Sequence, residues 1–315
     1  MKIGLIDVDG HHFPNLALMR LSAWHKAQGD DVEWWWTDFV HYDIVYMSKI
    51  FSDAYSPDVP EPLNADKVVK GGTGYCISLG SDGKEHFDES KNVKLPEYME
   101  RMFPDYSIYP QFDFAVSMTS RGCPRDCAFC HVVQKEGRAS IKCAEVGDFW
   151  NGQKEIKVLD PNITACREKR DLLNQYAETK AWVDFTQGID IRLTTEADVA
   201  DFNRMKIKRL HFAWDNPSDD LEDKFRMFSD VFRIKDHRRK VVYCLTNFED
   251  CSTEEHIDRA LNRVYKLRSL GYDPYVMIYD KPHAPAEIRH LQRWCNNKFV
   301  FKSVRDFKDY DPTRA

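Results

Sequence analysis

The feature that most constrains the fold of this chain is a regular alternation between apolar segments of strand length and segments with helical character. The apolar segments from residue 111 onward cover 112–118, 154–159, 181–185, 208–214, 240–245 and 274–279, and residues 195–198 and 252–255 have capping-box sequences that start helices. Strands that alternate with helices form parallel sheets. Six such units predict a partial (β/α)6 barrel, in which functional side chains lie at the C-terminal ends of the strands.

The first part of the chain shows a shorter version of the same alternation. An apolar strand at residues 2–8 is followed by Asn15, a helix N-cap residue, and by a helix over 16–28 that ends at Gly29. Further strands are predicted at 31–37, 43–47 and 65–70. This pattern predicts an α/β, Rossmann-like domain that is incomplete, because its last strand–helix unit is missing. We therefore divide the chain into the following parts: a front domain (1–80), a linker (81–110), the barrel (111–294) and a C-terminal cap (295–315).

Three cysteines, Cys123, Cys127 and Cys130, follow the first barrel strand in a C-x3-C-x2-C arrangement. Three thiolates on one short loop suit a cuboidal [4Fe–4S] cluster, whose fourth iron then stays open to bind a substrate. The segment from Cys127 to His131 also fits the C-x-x-C-H motif of c-type haem attachment, but that chemistry belongs outside the cytoplasm and the sequence shows no signal-peptide pattern. Structural zinc, with His131 or Cys143 as fourth ligand, is another alternative, but zinc sites usually pair two such knuckles and this chain has no second one. We therefore adopt the open cluster.

Composition and charge narrow the class of protein. With 315 residues, 43% hydrophobic and 30% charged, the chain has the composition of a globular protein, and no apolar stretch approaches the roughly 18 residues of a membrane span. Nine cysteines without an export signal indicate reduced thiols in the cytoplasm. Residues 1–110 have 10 Lys and Arg against 18 Asp and Glu, whereas the rest has 35 against 33. The acidic front half does not indicate a nucleic-acid partner.

The cysteine motif, together with the strand ends that follow it, resembles that of radical S-adenosylmethionine (SAM) enzymes. This resemblance implies that Phe129, before the third cysteine, packs near the adenine of SAM. The usual Gly-Gly-Glu segment at the end of the second barrel strand is replaced by a segment with two candidates for the SAM ammonium, Asp160 and Asn162. The resemblance also implies three residues that face the SAM ribose and carboxylate: Gln187, Asp190 and Arg192. A structural polar network is the alternative role for these three.

The front domain resembles cobalamin-binding domains, whose motif is D-x-H-x-x-G. Asp9 and His11 match its carboxylate and imidazole, and Gly71 and Gly72 match a later glycine pair, but Pro14 replaces the final glycine of the motif. A cobalt-ligating imidazole needs a carboxylate on its other ring nitrogen, which Asp9 would supply. Because of the proline and the missing last unit, the sequence does not favour bound cobalamin.

Together these features predict a cytoplasmic radical SAM enzyme with a [4Fe–4S] cluster. It is expected to cleave SAM reductively to a 5′-deoxyadenosyl radical, which abstracts hydrogen from a substrate that the sequence does not identify. A reductant of the flavodoxin or ferredoxin type is the expected partner, and no membrane association is expected. Two alternatives stay open: cobalamin-dependent methyl transfer by a radical SAM methyltransferase, and a non-catalytic iron–sulfur protein for electron transfer or sensing.

Overall fold

The computed structural model describes residues 1–81, 84–248 and 253–313, except for the side chains of residues 253 and 254. These residues form two compact units. The first consists of residues 1–118, 122–138 and 143–154, and the second of residues 119–121, 139–142 and 155–315.

The described residues of the first unit form seven strands and three helices. The strands are β1 (Lys2–Asp7), β2 (Asp31–Trp34), β3 (Tyr42–Ser48), β4 (Ala65–Gly71), β5 (Ile77–Leu79), β6 (Glu85–Phe87) and β7 (Ala115–Ser117). The helices are α1 (Leu16–Ala27), α2 (Glu97–Glu100) and α3 (Val132–Glu136). Strands β2, β1, β3 and β4 lie side by side in that order, and all their pairings are parallel. This four-stranded sheet with one crossover helix is the incomplete Rossmann-like arrangement that the sequence predicts.

Helix α1 packs on this sheet through an apolar face. Leu18 and Leu21 of the helix form a buried cluster with Ile3 and Leu5 of β1. The helix begins after Asn15, whose side chain accepts a hydrogen bond from the backbone N–H of Leu18, as the sequence predicts for an N-cap. The same side chain donates to Ser48 at the end of β3, so the helix start is tied to the strand ends.

The segment at 81–110 has structure of its own. It contains β6, which pairs with β5 in an antiparallel hairpin, and the short helix α2. Met99 of α2 is buried in the same apolar cluster as α1. These contacts attach the segment to the front sheet within the first unit.

In the second unit, seven strands and six helices are found in the part of the chain that the structure describes. The strands are β8 (Ser120–Arg121), β9 (Ile141–Lys142), β10 (Glu155–Val158), β11 (Trp182–Ile189), β12 (Lys206–Ala213), β13 (Lys240–Thr246) and β14 (Asp273–Ile278). The helices are α4 (Lys169–Thr179), α5 (Glu196–Phe202), α6 (Glu222–Val231), α7 (Thr253–Ser269), α8 (Ala286–Asn296) and α9 (Lys298–Ser303).

Strands β10 to β14 form a parallel sheet in sequence order, with the connecting helices packed against one face. Every second residue of the strands points into this core, where Phe185 contacts Phe202 of α5 and Phe212 contacts Phe228 of α6. Among the described residues of the second unit, β10 and β14 are the outermost of these five strands and do not pair with each other, so the strands form an open, partial barrel. The strands agree with the predicted strand–helix units, so the α/β fold class is confirmed.

The predicted capping box at 195–198 is present at the start of α5, whereas the one at 252–255 includes residues outside the described part of the chain.

The C-terminal segment packs on α7 and α8 through Trp294, Phe301 and Phe307. None of the helices in the described ranges is both long enough and apolar enough to span a membrane.

Candidate functional site

The three motif cysteines lie on a loop of the first unit that closes on itself. The backbone N–H of Cys123 donates to the carbonyl oxygen of Gly137 at 3.1 Å, and that of Cys130 donates to the carbonyl oxygen of Cys127 at 2.9 Å. The N–H of Gly122 donates to the buried carboxylate of Glu136 at 3.2 Å. Helix α3 starts shortly after Cys130 and ends the loop. The backbone hydrogen bonds and this helix together fix the positions of the three cysteines.

The chemistry of these side chains fits an iron–sulfur cluster. None of the eight cysteines that the structure describes is in a disulfide. Cys123, Cys127 and Cys130 are partly exposed, whereas Cys76, Cys166, Cys244 and Cys295 are buried. Partly exposed thiols can be deprotonated and take up iron, whereas burial raises the pKa of Cys244 to about 12 and makes that thiol inert. The donor set of the loop is therefore three accessible sulfur atoms.

The two chain segments that flank the cysteine loop form a short antiparallel ribbon in the second unit, which we call the neck (residues 119–121 and 139–142). Ser120 pairs with Lys142 and Arg121 with Ile141. Lys142 forms an ion pair with Asp171 of α4 at 2.8 Å. The cysteine loop thus enters and leaves through a two-stranded stem with its own hydrogen bonds.

Asp160 anchors the neck to the end of β10. Its fully buried carboxylate accepts four hydrogen bonds: from the N–H and hydroxyl of Thr119 at 2.9 and 3.0 Å, and from the N–H and hydroxyl of Ser120 at 2.5 and 2.6 Å. Burial raises the pKa of Asp160 to about 6, although the four donors lower it. The side chain predicted as a candidate for the SAM ammonium therefore has its partners in the protein.

A connected polar network joins the other strand ends. Asn162 caps the turn after β10 and accepts a hydrogen bond from the hydroxyl of Thr164 at 2.8 Å. The Thr164 hydroxyl in turn accepts from the N–H of Asp190 at 3.0 Å. Asp190 binds the guanidinium of Arg192 at 2.7 Å, and Arg192 reaches Asp219 at 3.0 Å. The structure thus brings together three of the predicted residues and adds two, Thr164 and Asp219, that no motif indicated.

Gln187 lies in an irregular part of β11 beside the end of β10. The pairing register of β11 shifts between Phe185 and Ile189. Within this bulge, the exposed Gln187 side chain donates to the carbonyl oxygen of Leu159 at 2.9 Å. Gly188 has a φ of +85°, and a side chain there would collide with the backbone carbonyl of Asp160. The glycine lets two strand ends approach closely, next to the neck.

A second buried centre at the strand ends is built on Arg263, which no sequence motif indicated. The guanidinium of Arg263, from α7, is almost fully buried and donates to the carbonyl oxygens of Trp214 at 2.6 Å, Asp215 at 2.8 Å and Leu245 at 3.0 Å. It holds the ends of β12 and β13 in place. The Asp215 carboxylate accepts from the N–H of Leu245 at 3.2 Å, and burial raises its pKa to about 6. An arginine inside a long helix has no sequence signal that marks it for this role.

The front domain does not form the carboxylate–imidazole pair that its sequence motif suggests. Asp9 accepts hydrogen bonds from the N–H groups of Ile50 at 2.6 Å and Phe51 at 3.3 Å. His11 is exposed, has a φ of +58° and packs edge-on against Trp34, with ring centroids 4.2 Å apart. The Asp9 carboxylate thus holds a turn of the backbone and does not orient His11.

The glycines after β4 also serve the packing of this turn. Gly72 has a φ of +104°, and a side chain there would collide with the backbone carbonyl of Lys49, while one at Gly74 would collide with that of Phe51. The space beside Gly72 and Gly74 is thus taken by the protein's own backbone, whereas a side chain at Gly71, the other member of the predicted pair, would meet nothing within 4 Å. In these two respects the residues present do not fit a cobalamin bound through the D-x-H-x-x-G motif.

Of the predicted site residues, Asp160, Asn162, Gln187, Asp190 and Arg192 all lie at the C-terminal ends of β10 and β11 in the second unit. Phe129 lies between the second and third cysteines on the loop of the first unit and is partly buried. The structure therefore gathers five of the six predicted SAM residues at one edge of the sheet.

Comparisons with known proteins agree with this fold. Neither a protein-family model nor a curated protein sequence matches the chain. Among solved structures, the chain is similar to TsrM from Kitasatospora setae, a radical SAM methyltransferase solved with cobalamin and a [4Fe–4S] cluster, with a TM-score of 0.62 and 10% identity over 88% of this chain and 74% of TsrM. It is also similar to OxsB, a cobalamin-dependent SAM radical enzyme solved with aqua-cobalamin and SAM, with a TM-score of 0.56 and 13% identity over 96% of this chain. The chain spans 56% of the length of OxsB. It therefore has the fold of cobalamin-dependent radical SAM enzymes.

Proposed function

We propose that this protein is a radical SAM enzyme whose [4Fe–4S] cluster is held by Cys123, Cys127 and Cys130. The observation that carries the proposal is the loop of three partly exposed cysteines, whose stem is attached to the end of a partial-barrel strand. Three sulfur ligands leave one iron of a cubane without a protein ligand. The fold similarity to two radical SAM enzymes supports the same conclusion.

When bound, such a cluster supplies the electron that cleaves SAM to methionine and a 5′-deoxyadenosyl radical, which removes hydrogen from the substrate. The protein residues hold and orient the reactants. We propose that Phe129 contacts the adenine of SAM and that the network of Asn162, Asp190 and Arg192, with Gln187 beside it, binds its polar groups. Because Arg192 is held by carboxylates on two sides, it is ordered before a ligand arrives.

Asp160 has a different role in this proposal. All of its hydrogen bonds run to Thr119 and Ser120, so it positions the neck of the cysteine loop and does not bind SAM directly. The Asn162 amide oxygen likewise accepts from the Thr164 hydroxyl at 2.8 Å and from the N–H of Ala165 at 3.1 Å, so neither candidate has an unoccupied oxygen for the SAM ammonium.

The test of the cluster is an iron measurement. Anaerobically reconstituted protein should contain about four irons per chain, as one cubane does. Replacing Cys123, Cys127 and Cys130 together by Ala should remove the iron and the brown colour. The matched control is Cys143→Ala, because Cys143 is an exposed thiol outside the loop. Equal iron in the triple variant, or an iron loss caused by Cys143→Ala alone, would contradict the assignment.

A second candidate function is cobalamin-dependent methyl transfer. It is favoured by the two structural neighbours, both of which were solved with cobalamin. As evidence for cobalamin binding, these two structures are stronger than the sequence motif of the front domain. Ligation of cobalt by His11 does not follow from it, because Asp9 is bonded elsewhere. Protein expressed with hydroxocobalamin and purified should retain about one corrinoid per chain if this function is correct, and S-adenosylhomocysteine should form together with deoxyadenosine. Purified protein without corrinoid would leave hydrogen abstraction as the reaction.

The partner and the compartment remain proposals as well. We infer that a flavodoxin- or ferredoxin-type protein delivers the electron, since the proposed chemistry requires a low-potential reductant. The cytoplasm is the compartment that suits free thiols and a reduced cluster.

A further inference from the structure

The front sheet has a group of metal-binding side chains that the proposed function does not use. His41, Asp43 and Asp66 lie at the starts of β3 and β4 in the first unit, and their ligand atoms all lie within 4.8 Å of one another. Imidazole nitrogen and carboxylate oxygen are both common zinc ligands in proteins. We call these three residues the front triad.

The register of the sheet brings the two carboxylates together. Val45 of β3 pairs with Val68 of β4 in a parallel register. Two residues earlier on each strand, Asp43 is therefore the neighbour of Asp66 on the same face of the sheet. The backbone N–H of Lys2 donates to the Asp43 carboxylate at 2.5 Å and holds it in place. Because two carboxylates at this separation repel each other, a cation between them is favourable.

The orientation of His41 leaves one ring nitrogen for a metal. Its Nδ1 lies 3.1 Å from the side-chain oxygen of Asn64, and since an amide oxygen only accepts, Nδ1 carries the hydrogen. Nε2 lies 3.4 Å from Oδ1 of Asp66. In the neutral imidazole both of these atoms are acceptors, so they need a proton or a metal ion between them. The hydrogen bond to Asn64 and the charges of Asp66 and Asp43 also raise the pKa of His41, which reflects the same preference for positive charge.

The spacing of the front triad suits a tetrahedral ion. Zinc bonds to nitrogen and oxygen are about 2.0–2.2 Å long, so two ligand atoms at a tetrahedral angle lie roughly 3.3 Å apart. The distance of 3.4 Å between Nε2 of His41 and Oδ1 of Asp66 is close to that value. These two side chains are 54% and 66% exposed, so an ion can enter from solvent and water can complete its coordination.

We propose that the front triad binds one zinc-type divalent cation, with His41, Asp43 and Asp66 as ligands and Asn64 as the residue that orients the imidazole. A metal-binding histidine usually has its other ring nitrogen held in this way. The nitrogen ligand favours Zn²⁺ over Mg²⁺, which prefers oxygen. The bound ion links β3 to β4 and stabilises the front sheet. The site lies at the N-terminal ends of these strands, the edge of the sheet opposite to the D-x-H-x-x-G motif, and it does not depend on the proposed radical SAM function.

The test measures binding of Zn²⁺ alone to the full chain. The exposed and partly exposed cysteines, which would compete for zinc, are first replaced by Ala: Cys123, Cys127, Cys130 and Cys143. Isothermal titration calorimetry should show one Zn²⁺ per chain with a micromolar Kd, and Co²⁺ should give the visible absorption of a four-coordinate ion. Thermal unfolding should move to higher temperature when Zn²⁺ is added, because the ion binds the folded state.

Variants in this background assign the ligands. His41→Ala and Asp66→Asn each remove one ligand and should weaken Zn²⁺ binding at least tenfold, and Asn64→Ala, which removes only the orienting hydrogen bond, should weaken it about tenfold. The matched control is His283→Ala. His283 is also exposed and also pairs with a carboxylate, that of Asp280 at 2.8 Å, but in the described part of the chain this pair has no third ligand. Each substitution is also made in the chain with its cysteines intact and loaded with iron, so the result does not depend on the folding of one background.

The outcomes separate this inference from the proposed function. One Zn²⁺ per chain that the front-triad variants weaken and His283→Ala does not would support the site. No binding up to millimolar Zn²⁺, binding that His41→Ala, Asp66→Asn and Asn64→Ala leave unchanged, or an equal loss in His283→Ala would overturn it. SAM cleavage is measured on separate samples. Zinc binding without SAM cleavage refutes only the radical SAM reaction, whereas SAM cleavage without zinc binding refutes only the front triad.

Discussion

Replacing Asp160 by Asn tests whether this carboxylate positions the cysteine loop. The wild-type side chain offers two acceptor oxygens to four donors, two of which are the backbone N–H groups of Thr119 and Ser120. Asparagine has the same shape but one acceptor oxygen only. Because the side chain is fully buried, water cannot replace the lost acceptor.

The expected loss of anchoring free energy follows from the number of hydrogen-bond donors that lose their acceptor. The two hydroxyl groups can rotate toward other acceptors, whereas one of the two backbone N–H groups then faces the amide nitrogen of Asn. A buried donor without a partner costs about 1–3 kcal/mol. A loss of about 2 kcal/mol in the anchoring of the neck makes its detachment roughly thirtyfold more frequent. We therefore expect the Asp160→Asn variant to bind less iron and to lose its cluster faster in air.

The assay compares iron per chain after anaerobic reconstitution and the rate at which the brown absorbance bleaches. The control is Asp198→Asn, which makes the same change in a buried carboxylate that caps α5 and pairs with Lys169 at 2.9 Å, away from the neck. The control should lower the free energy of unfolding without affecting iron content. The reasoning is refuted if Asp160→Asn holds as much iron, for as long, as wild type and the control.

Three further predictions concern the same strand ends. Gly188→Ala should lower the free energy of unfolding by more than about 2 kcal/mol, because φ is positive and the new methyl group meets the Asp160 carbonyl, whereas Gly147→Ala has open space and should be near neutral by urea denaturation. Arg263→Met should destabilise by about 3 kcal/mol or more, because three strand-end carbonyls lose their donor, and equal urea midpoints would contradict this. The raised pKa of Asp160 means that the folded state binds its proton more tightly than the unfolded state. Its contribution to stability is therefore full below pH 4 and declines by roughly 3 kcal/mol as the pH rises to about 6. The measurement is the difference in free energy of unfolding between wild type and Asp160→Asn as a function of pH. A difference that does not change with pH would contradict the prediction.

The sequence contains enough information for the strands and their order, since period-two apolar segments bounded by polar turns are a local signal. The strand predicted at 181–185 is longer in the structure, where β11 continues to Ile189. The extension passes through a bulge at Gln187 and Gly188 that depends on the nearby backbone of Asp160. Such a bulge is set by a neighbouring strand, so it has no signature in the local sequence.

The site was predictable only where residue type itself limits the chemistry. Closely spaced cysteines have few uses, so the cluster loop follows from the motif alone. The partners of Asp160 lie 40 and 41 positions earlier in the chain, and nothing in the sequence connects them. In the front domain, the spacing of Asp9 and His11 is compatible with a carboxylate–imidazole pair. The left-handed backbone of His11 instead turns its ring toward Trp34, and the Asp9 carboxylate accepts hydrogen bonds from backbone N–H groups after β3.

Reductive cleavage of SAM tests the central claim most directly. Reconstituted wild-type protein is mixed anaerobically with SAM and dithionite, without added substrate, and 5′-deoxyadenosine is measured by mass spectrometry beside the variant in which Cys123, Cys127 and Cys130 are Ala. The account predicts slow formation of 5′-deoxyadenosine and methionine by wild type and none by the variant. Wild-type protein with about four irons that forms no 5′-deoxyadenosine, and whose EPR signal does not change when SAM is added, would contradict it and favour an electron-transfer or sensor protein.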